Sequence, residues 1–161
     1  MNRSDYNSAV KEFSENVFRY AYKWTKSEAD AKDMVQDVFS KLWVNRKSVQ
    51  KAKAKSWLFT CAHNALVNWS KKSRTVLMED NSYVEPTNSQ PNLALQDLIE
   101  QSFSQLSEIQ KSVVILRDAE GYSYEEIGDV LGLTESQVKV YLFRARKKVK
   151  NQLVSLEVLV A

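Results

Sequence analysis

The chain has 161 residues, 43% hydrophobic and 27% charged, with three Gly and two Pro, a makeup that can bury a core and favours long helices over many short strands. The net charge is +3, no apolar run reaches the roughly 18 residues of a membrane span, and MNRSDYNSAV lacks an apolar stretch of signal-peptide type, so a cytoplasmic chain without membrane insertion is expected. One cysteine, Cys61, and one histidine, His63, exclude an internal disulfide framework and a metal site made from that pair alone; Cys61 is expected as a small packed hydrophobe, and no cofactor is expected.

The first predicted helix carries Val10, Phe13, Val17, Tyr20, Ala21 and Trp24 at spacings of three and four, which puts them on one face. Ser27 is suited to cap a second helix, with Asp30 at its third position, Ala31, Met34, Val35, Val38 and Leu42 inward, and Asp33, Gln36 and Asp37 outward. Taken alone, that acidic face reads as ordinary solvated surface. A third helix is predicted over 54–72 with the stripe Trp57, Leu58, Cys61, Ala62, Ala65, Leu66 and Trp69.

Charge is segregated along the chain. Residues 41–74 hold nine Lys and Arg and no acid, 75–110 hold six acids and no Lys or Arg, and 139–150 hold six basic residues and no acid. Two separate basic blocks imply two separate polyanion contacts. The first block surrounds Trp57, Phe59, His63, Asn64, Asn68 and Trp69, and this mix of cations, aromatics and amides suits unpaired bases, which stack on rings while amides read their edges. Trp57 and Trp69 equally fit core packing, whereas Asn64 and Asn68, four apart, put two amides on one helix face.

Periodicity fails after 73, and VEPTNSQPN has linker composition, which divides the chain into 1–73, a flexible linker over 74–93, and 94–161. Beyond it a helix bearing Leu95, Leu98, Ile99 and Phe103 leads to one predicted over 107–120, with Ile109, Val113 and Leu116 inward and Gly121 as its stop. Ser123 with Glu126 and Thr134 with Gln137 form two capping-box patterns, and Gly132 suits the left-handed residue that ends the helix between them. Ile127, Val130, Leu131, Leu133, Val138, Leu142 and Ala145 supply the joint of a helix-turn-helix. In such a motif the second helix enters the major groove, and its early outward residues, here Glu135, Ser136, Gln137, Lys139 and Val140, meet base edges; Phe143, Arg144, Lys147 and Lys148 follow. The apolar tail 153–161 is expected to pack at the end of this last helix. No Gly-rich phosphate loop, metal-ligand cluster or catalytic constellation is apparent, so the chain is expected not to be an enzyme.

These pieces match a family. DAKDMVQDVFSKLW at 30–43 resembles the region 2 helix of sigma-70 factors that docks on core RNA polymerase, and SWLFTCAHNALVNW at 56–69 resembles the adjoining promoter-melting and −10 segment. GYSYEEIGDVLGLTESQVKVYLFRARKKVK at 121–150 resembles region 4, and the order and short linker resemble the extracytoplasmic-function (ECF) group. The resemblance implies an all-α fold of two small domains, a region 2 bundle and a region 4 helix-turn-helix, in a transcription initiation factor that brings polymerase to promoters. It further implies Asp33, Met34, Gln36, Asp37 and Phe39 as the core-polymerase contact. Asn64, Asn68, Lys71 and Lys72 become candidates for the single-stranded −10 element, and Glu135, Ser136, Gln137, Lys139, Arg144 and Lys147 for the duplex −35 element. An anti-sigma factor is the implied inhibitory partner. His63 stands where Arg is frequent, Asn68 where Asp is common, Val140 and Tyr141 where Ser and Arg are frequent, and Ser107 where Pro commonly precedes the helix. The competing readings are a stand-alone helix-turn-helix regulator with an N-terminal interaction domain, and an adaptor without DNA function.

Overall fold

The computed structural model describes the backbone over 1–80 and 91–160 and the side chains over 1–76 and 96–154. Among these residues there are helices and turns and no strand.

Helix α1, Arg3–Thr25, opens on a capping box between Asn2 and Asp5 and closes at Lys26, which takes a left-handed φ of 58° and donates its amide to Tyr22 O. Ser27 then caps α2, Glu28–Asn45, by accepting from the Asp30 amide at 3.2 Å. A 3₁₀ turn at Lys51–Lys53 leads into α3, Ala54–Asp80. The apolar stripes expected from periodicity face one another: Val17, Tyr20 and Ala21 of α1, Val38 and Leu42 of α2, and Leu58, Phe59, Ala62 and Leu66 of α3 are fully buried. Phe59 is a correction, because a ring expected beside unpaired bases lies wholly inside, 5.6 Å from the Tyr20 ring and 5.3 Å from that of Tyr122.

The boundary after the third helix also differs from expectation. Helix α3 continues past 72 to Asp80, since Lys, Arg, Leu, Met and Glu sustain a helix by intrinsic propensity where an apolar stripe has ended. Arg74, on that extension, pairs with Glu108 at 3.0 Å. Residues 81–90, the centre of the expected linker, lie outside the described residues.

The chain resumes with α4, Pro91–Ser104, whose first residue has no amide hydrogen to leave unpaired. Helix α5, Glu108–Val114, starts on a full Ser107–Gln110 capping box and runs into a π-helical turn at Ile115–Ala119, where the sequence predicts continuous α-helix. Gly121, at φ 73°, makes the following turn. Helices α6, Tyr124–Leu131, and α7, Glu135–Val160, form the helix-turn-helix over a core of Val113, Leu116, Ile127, Val138 and Leu142. Of the apolar tail, Leu153 is half-buried and Val154 exposed; the side chains beyond lie outside the described residues.

The two modules pack against each other. Thr60 of α3 donates its hydroxyl to Val130 O of α6 at 2.9 Å, Lys55 pairs with Glu126 and sits 4.1 Å over the Tyr122 ring, and Glu120 binds both Arg19 and Lys23 of α1 at 3.1 Å. The Glu120 side chain is only 4% exposed. Burial alone would raise its carboxyl, but the hydrogen bonds from Arg19 and Lys23 carry it below the usual range.

Candidate nucleic-acid interface

Helix α2 presents Asp33, Gln36 and Asp37 to solvent, one turn apart on a single face. The other two residues expected with them are mostly covered: Met34 and Phe39 are 8% and 6% exposed and belong to the core, so they hold the helix in place and offer little contact area. Asp37 pairs with Lys41 at 3.1 Å along its own helix, and Asp30 accepts from the Trp69 indole nitrogen at 3.2 Å. That bond ties Trp69 to the bundle, where both it and Trp57 are half-buried against the core.

Asn64, Asn68, Lys71 and Lys72 are all exposed on α3. An open cleft runs between α2 and α3, with Asp33, Asp37 and Lys41 on one wall, Asn68 and Lys72 on the other, and Met34, Ala65 and Trp69 at its base. The acidic row and the amide row are therefore neighbours on one surface, a relation that linear spacing does not reveal.

His63 turns the opposite way. Its Nδ1 is 2.6 Å from Ser112 Oγ, which is 2.5 Å from the Tyr20 hydroxyl, so the ring joins α3 to α1 and α5 and leaves the basic surface. Burial pushes the imidazole below its ordinary value, against a smaller opposing pull from Glu108, and burial likewise drives the Tyr20 phenol far up. No sequence motif marks Ser112, although a hydroxyl beside Val113 on an apolar helix face is the kind of residue that needs a buried partner.

The helix-turn-helix follows the expected capping chemistry. The Ser123 hydroxyl accepts from the Glu126 amide at 3.0 Å, the Thr134 hydroxyl from the Gln137 amide at 3.2 Å, and Gly132 adopts φ 69° between them. Gly128 is the residue that sequence reasoning passed over. A Cβ there would stand 2.5 Å from Leu133 O, so the turn can cross α6 this closely only over a glycine. Its signal was a glycine inside an otherwise helical pattern, which costs about 1 kcal/mol unless packing needs it.

Glu135, Ser136, Gln137, Lys139, Arg144 and Lys147 are exposed along α7. Gln137 is partly committed, since its Oε1 accepts from the Thr134 amide at 2.9 Å. While that cap holds, its amide can donate to a base but has one acceptor lone pair fewer for the two-bond adenine pattern. Lys139 Nζ lies 5.3 Å over the Tyr124 ring, Arg146 is held by Asp118, and Lys148 donates to Gln105 O at 2.7 Å. Among the described residues no group of His, Cys, Asp and Glu is arranged to hold a metal ion, and no helix is long and apolar enough to cross a membrane.

Comparison with known proteins matches two separate segments of the chain. Residues 9–75 match the family described as sigma-70 region 2, and residues 96–149 match sigma-70, region 4. The RNA polymerase sigma factor YlaC of Bacillus subtilis is 27% identical over 161 residues, covering 94% of this chain and 93% of the relative. The ECF RNA polymerase sigma factor SigL of Mycobacterium tuberculosis is 30% identical over 150 residues, covering 88% and 85%. Among solved structures, the sigma factor RpoE in its complex with the anti-sigma factor NepR from Bartonella quintana superimposes with a TM-score of 0.70 at 26% identity, covering 92% of this chain and 96% of that one.

Proposed function

We propose, from the premise that the chain belongs to the ECF RNA polymerase sigma factors of the sigma-70 family, that its exposed acidic row and its exposed recognition helix divide polymerase docking and promoter reading between the two modules. The protein is a transcription initiation factor that binds core RNA polymerase and directs it to promoters. Asp33, Gln36 and Asp37 of α2 dock on polymerase, with Met34 and Phe39 fixing the helix beneath them. Glu135, Ser136, Gln137, Lys139, Arg144 and Lys147 of α7 meet the −35 duplex, the cations holding phosphates and the early residues meeting base edges. Asn64, Asn68, Lys71 and Lys72 capture the −10 strand.

Opening DNA costs a few kcal/mol for each unstacked step. Exposed amides and lysines at the edge of the polymerase-docking face offset that cost by binding the single strand where polymerase already holds the factor. Bond making belongs to the polymerase, and the factor works in the cytoplasm as a non-enzymatic subunit. An anti-sigma factor is its inhibitory partner; the likeness of the docked modules to a sigma factor held by NepR supports this reading.

The observation that carries the docking assignment is the row Asp33, Gln36, Asp37, exposed above a buried Met34 and Phe39 on a helix that lies within the region 2 match. Binding of the purified protein to core RNA polymerase tests it. Wild type is expected to bind and Asp33→Arg with Asp37→Arg to lose binding by at least about a hundredfold, since two reversed charges meet a surface built for acids. Retained binding by the double variant would remove α2 from the interface.

A further inference from the structure

Helix α7 turns Val138, Leu142 and Ala145 into the core, at 0%, 2% and 0% exposure. The residues diametrically opposite are Ser136, Val140, Phe143 and Lys147, which follow one another by four, three and four along the outer line of the helix. Two of them are large and apolar: Val140 is 45% exposed and Phe143 is 67% exposed. Three residues apart, they form one continuous apolar strip at the crest of the helix, where a solvated surface would carry charge.

The flanks of that strip are basic. Lys139, Arg146 and Lys150 lie along one side and Arg144 and Lys148 along the other, with no acid anywhere in 139–150. Arg146 and Lys148 are held by Asp118 and Gln105 O and Lys139 stands over the Tyr124 ring, so the exposed cations flanking Val140 and Phe143 are Arg144 on one side and Lys139 and Lys150 on the other. A surface with an apolar crest between cationic shoulders fits a partner that is anionic along two edges and carries apolar groups on the floor between. The major groove of duplex DNA has this layout: two phosphate ridges, room for one helix, and a single apolar group among the base edges, the C5 methyl of thymine.

Resting on the reading of α7 as the −35 helix, we infer that Val140 and Phe143 read thymine methyl groups, making this −35 contact in part an apolar one. The two residues are separated by about 4.5 Å along the helix axis and base pairs by about 3.4 Å. The thymines they read therefore lie on adjacent steps or one step apart. Ser136 and Lys147, at the ends of the strip, supply polar contacts to the neighbouring bases or phosphates. Specificity at the two central positions comes from the presence of a methyl group, which neither cytosine nor a purine offers at that edge of the groove.

The test uses the full chain assembled with core polymerase. A −35 element is first selected from randomised duplexes, and each thymine in it is then replaced singly by deoxyuridine, which removes only the methyl and keeps every hydrogen-bonding group. At one or two positions the uracil duplex should bind about fourfold more weakly, the effect of losing one buried methyl. Val140→Ala and Phe143→Ala should each weaken binding to the thymine duplex and cancel the thymine-over-uracil preference at one position, with folding unaffected because both side chains are on the surface. If wild type selects a sequence yet binds thymine and uracil forms equally at every position, the methyl contact is refuted while the −35 assignment stands. If either alanine variant keeps every thymine preference, or loses only binding to a protein partner, the strip serves something other than DNA. Failure of the wild-type assembly to select any sequence would overturn the −35 reading itself.

Discussion

In α1 to α3 the side chains that meet at the centre are large and come from far apart in the chain: Tyr20, Leu42, Leu58, Phe59 and Leu66 are all fully buried. In α5 to α7 the buried set is smaller, with Val113, Leu116, Ile127, Val138 and Leu142, and the angles between helices are set by devices a few residues long. Ser107, Ser123 and Thr134 each cap their helix, and Gly128 and Gly132 shape the turn. Caps at Asn2 and Ser27 serve the first module too, so the contrast lies in its larger buried side chains against the glycine-shaped turn of the second. The acidic row and the amide row stand side by side on a packed bundle, whereas the angle at which α7 leaves the turn is fixed by its cap and its glycines.

The comparison is sharpened most by a volume deletion in the first module. Leu58→Ala, at a position with no solvent exposure, should cost about 3 kcal/mol, combining the lost transfer energy with the cavity left behind. All four tryptophans, Trp24, Trp43, Trp57 and Trp69, lie in this module, so their fluorescence during denaturation follows it and, through Trp24 with Lys111 5.5 Å over its ring, its seam with the second module, while far-UV circular dichroism reports both modules. The fluorescence midpoint should fall. If the circular dichroism curve falls with it at every denaturant concentration, the two modules unfold as one unit and differ only in how each is specified.

The complementary change is Gly128→Ala, with an expected cost of about 2 kcal/mol because a Cβ 2.5 Å from Leu133 O forces the turn away from α6. The clash is with backbone, which has no rotamer by which to yield. Loss of binding to −35 duplex should exceed loss of polymerase binding, since the displaced element is α7. An unchanged −35 affinity would mean that the close crossing does not set the entry angle.

Local devices are the part of this protein that a sequence displays. The pairs Ser123 with Glu126 and Thr134 with Gln137, the cap at Ser27 and the left-handed Gly132 are readable because each involves residues within a few positions of one another. The apolar stripes were readable for the same reason. In sequence Phe59 and His63 read as part of the nucleic-acid surface because their neighbours are basic, whereas the groups that bury them, Tyr20, Ser112 and Tyr122, come from distant parts of the chain. Met34 and Phe39 illustrate the converse: the outer face of α2 is marked in sequence by its acids, yet two of the residues grouped with them support it from below. The continuation of α3 to Asp80 was hidden because a helix without a facing stripe carries no periodic signal.

The smallest expected effect concerns the seam between the modules. His63 sits with its Nδ1 2.6 Å from Ser112 Oγ and 3.5 Å from the Tyr20 hydroxyl, facing Tyr20 from α1 and, from α5, the charge of Glu108. Burial holds the docked imidazole below the value of about 6.5 that it would have once exposed. The separated state therefore binds the proton more tightly, and docking has its full strength above about pH 6.5 and weakens as the pH falls through and below that value. Glu108 opposes the trend, and the ring keeps some contact with solvent, so the loss should be smaller than that from either substitution above. A proton resonance titration of the single histidine should give a midpoint below 6.5, and the radius of gyration in solution should rise between pH 7.5 and pH 5.5. His63→Gln, which can still accept from Ser112 but does not titrate, should flatten that rise. A midpoint at or above 6.5, or a radius indifferent to pH in the wild type, would mean that the seam is held by Glu120 and by the apolar contact of Phe59 with Tyr122, and that the histidine is a passenger in it.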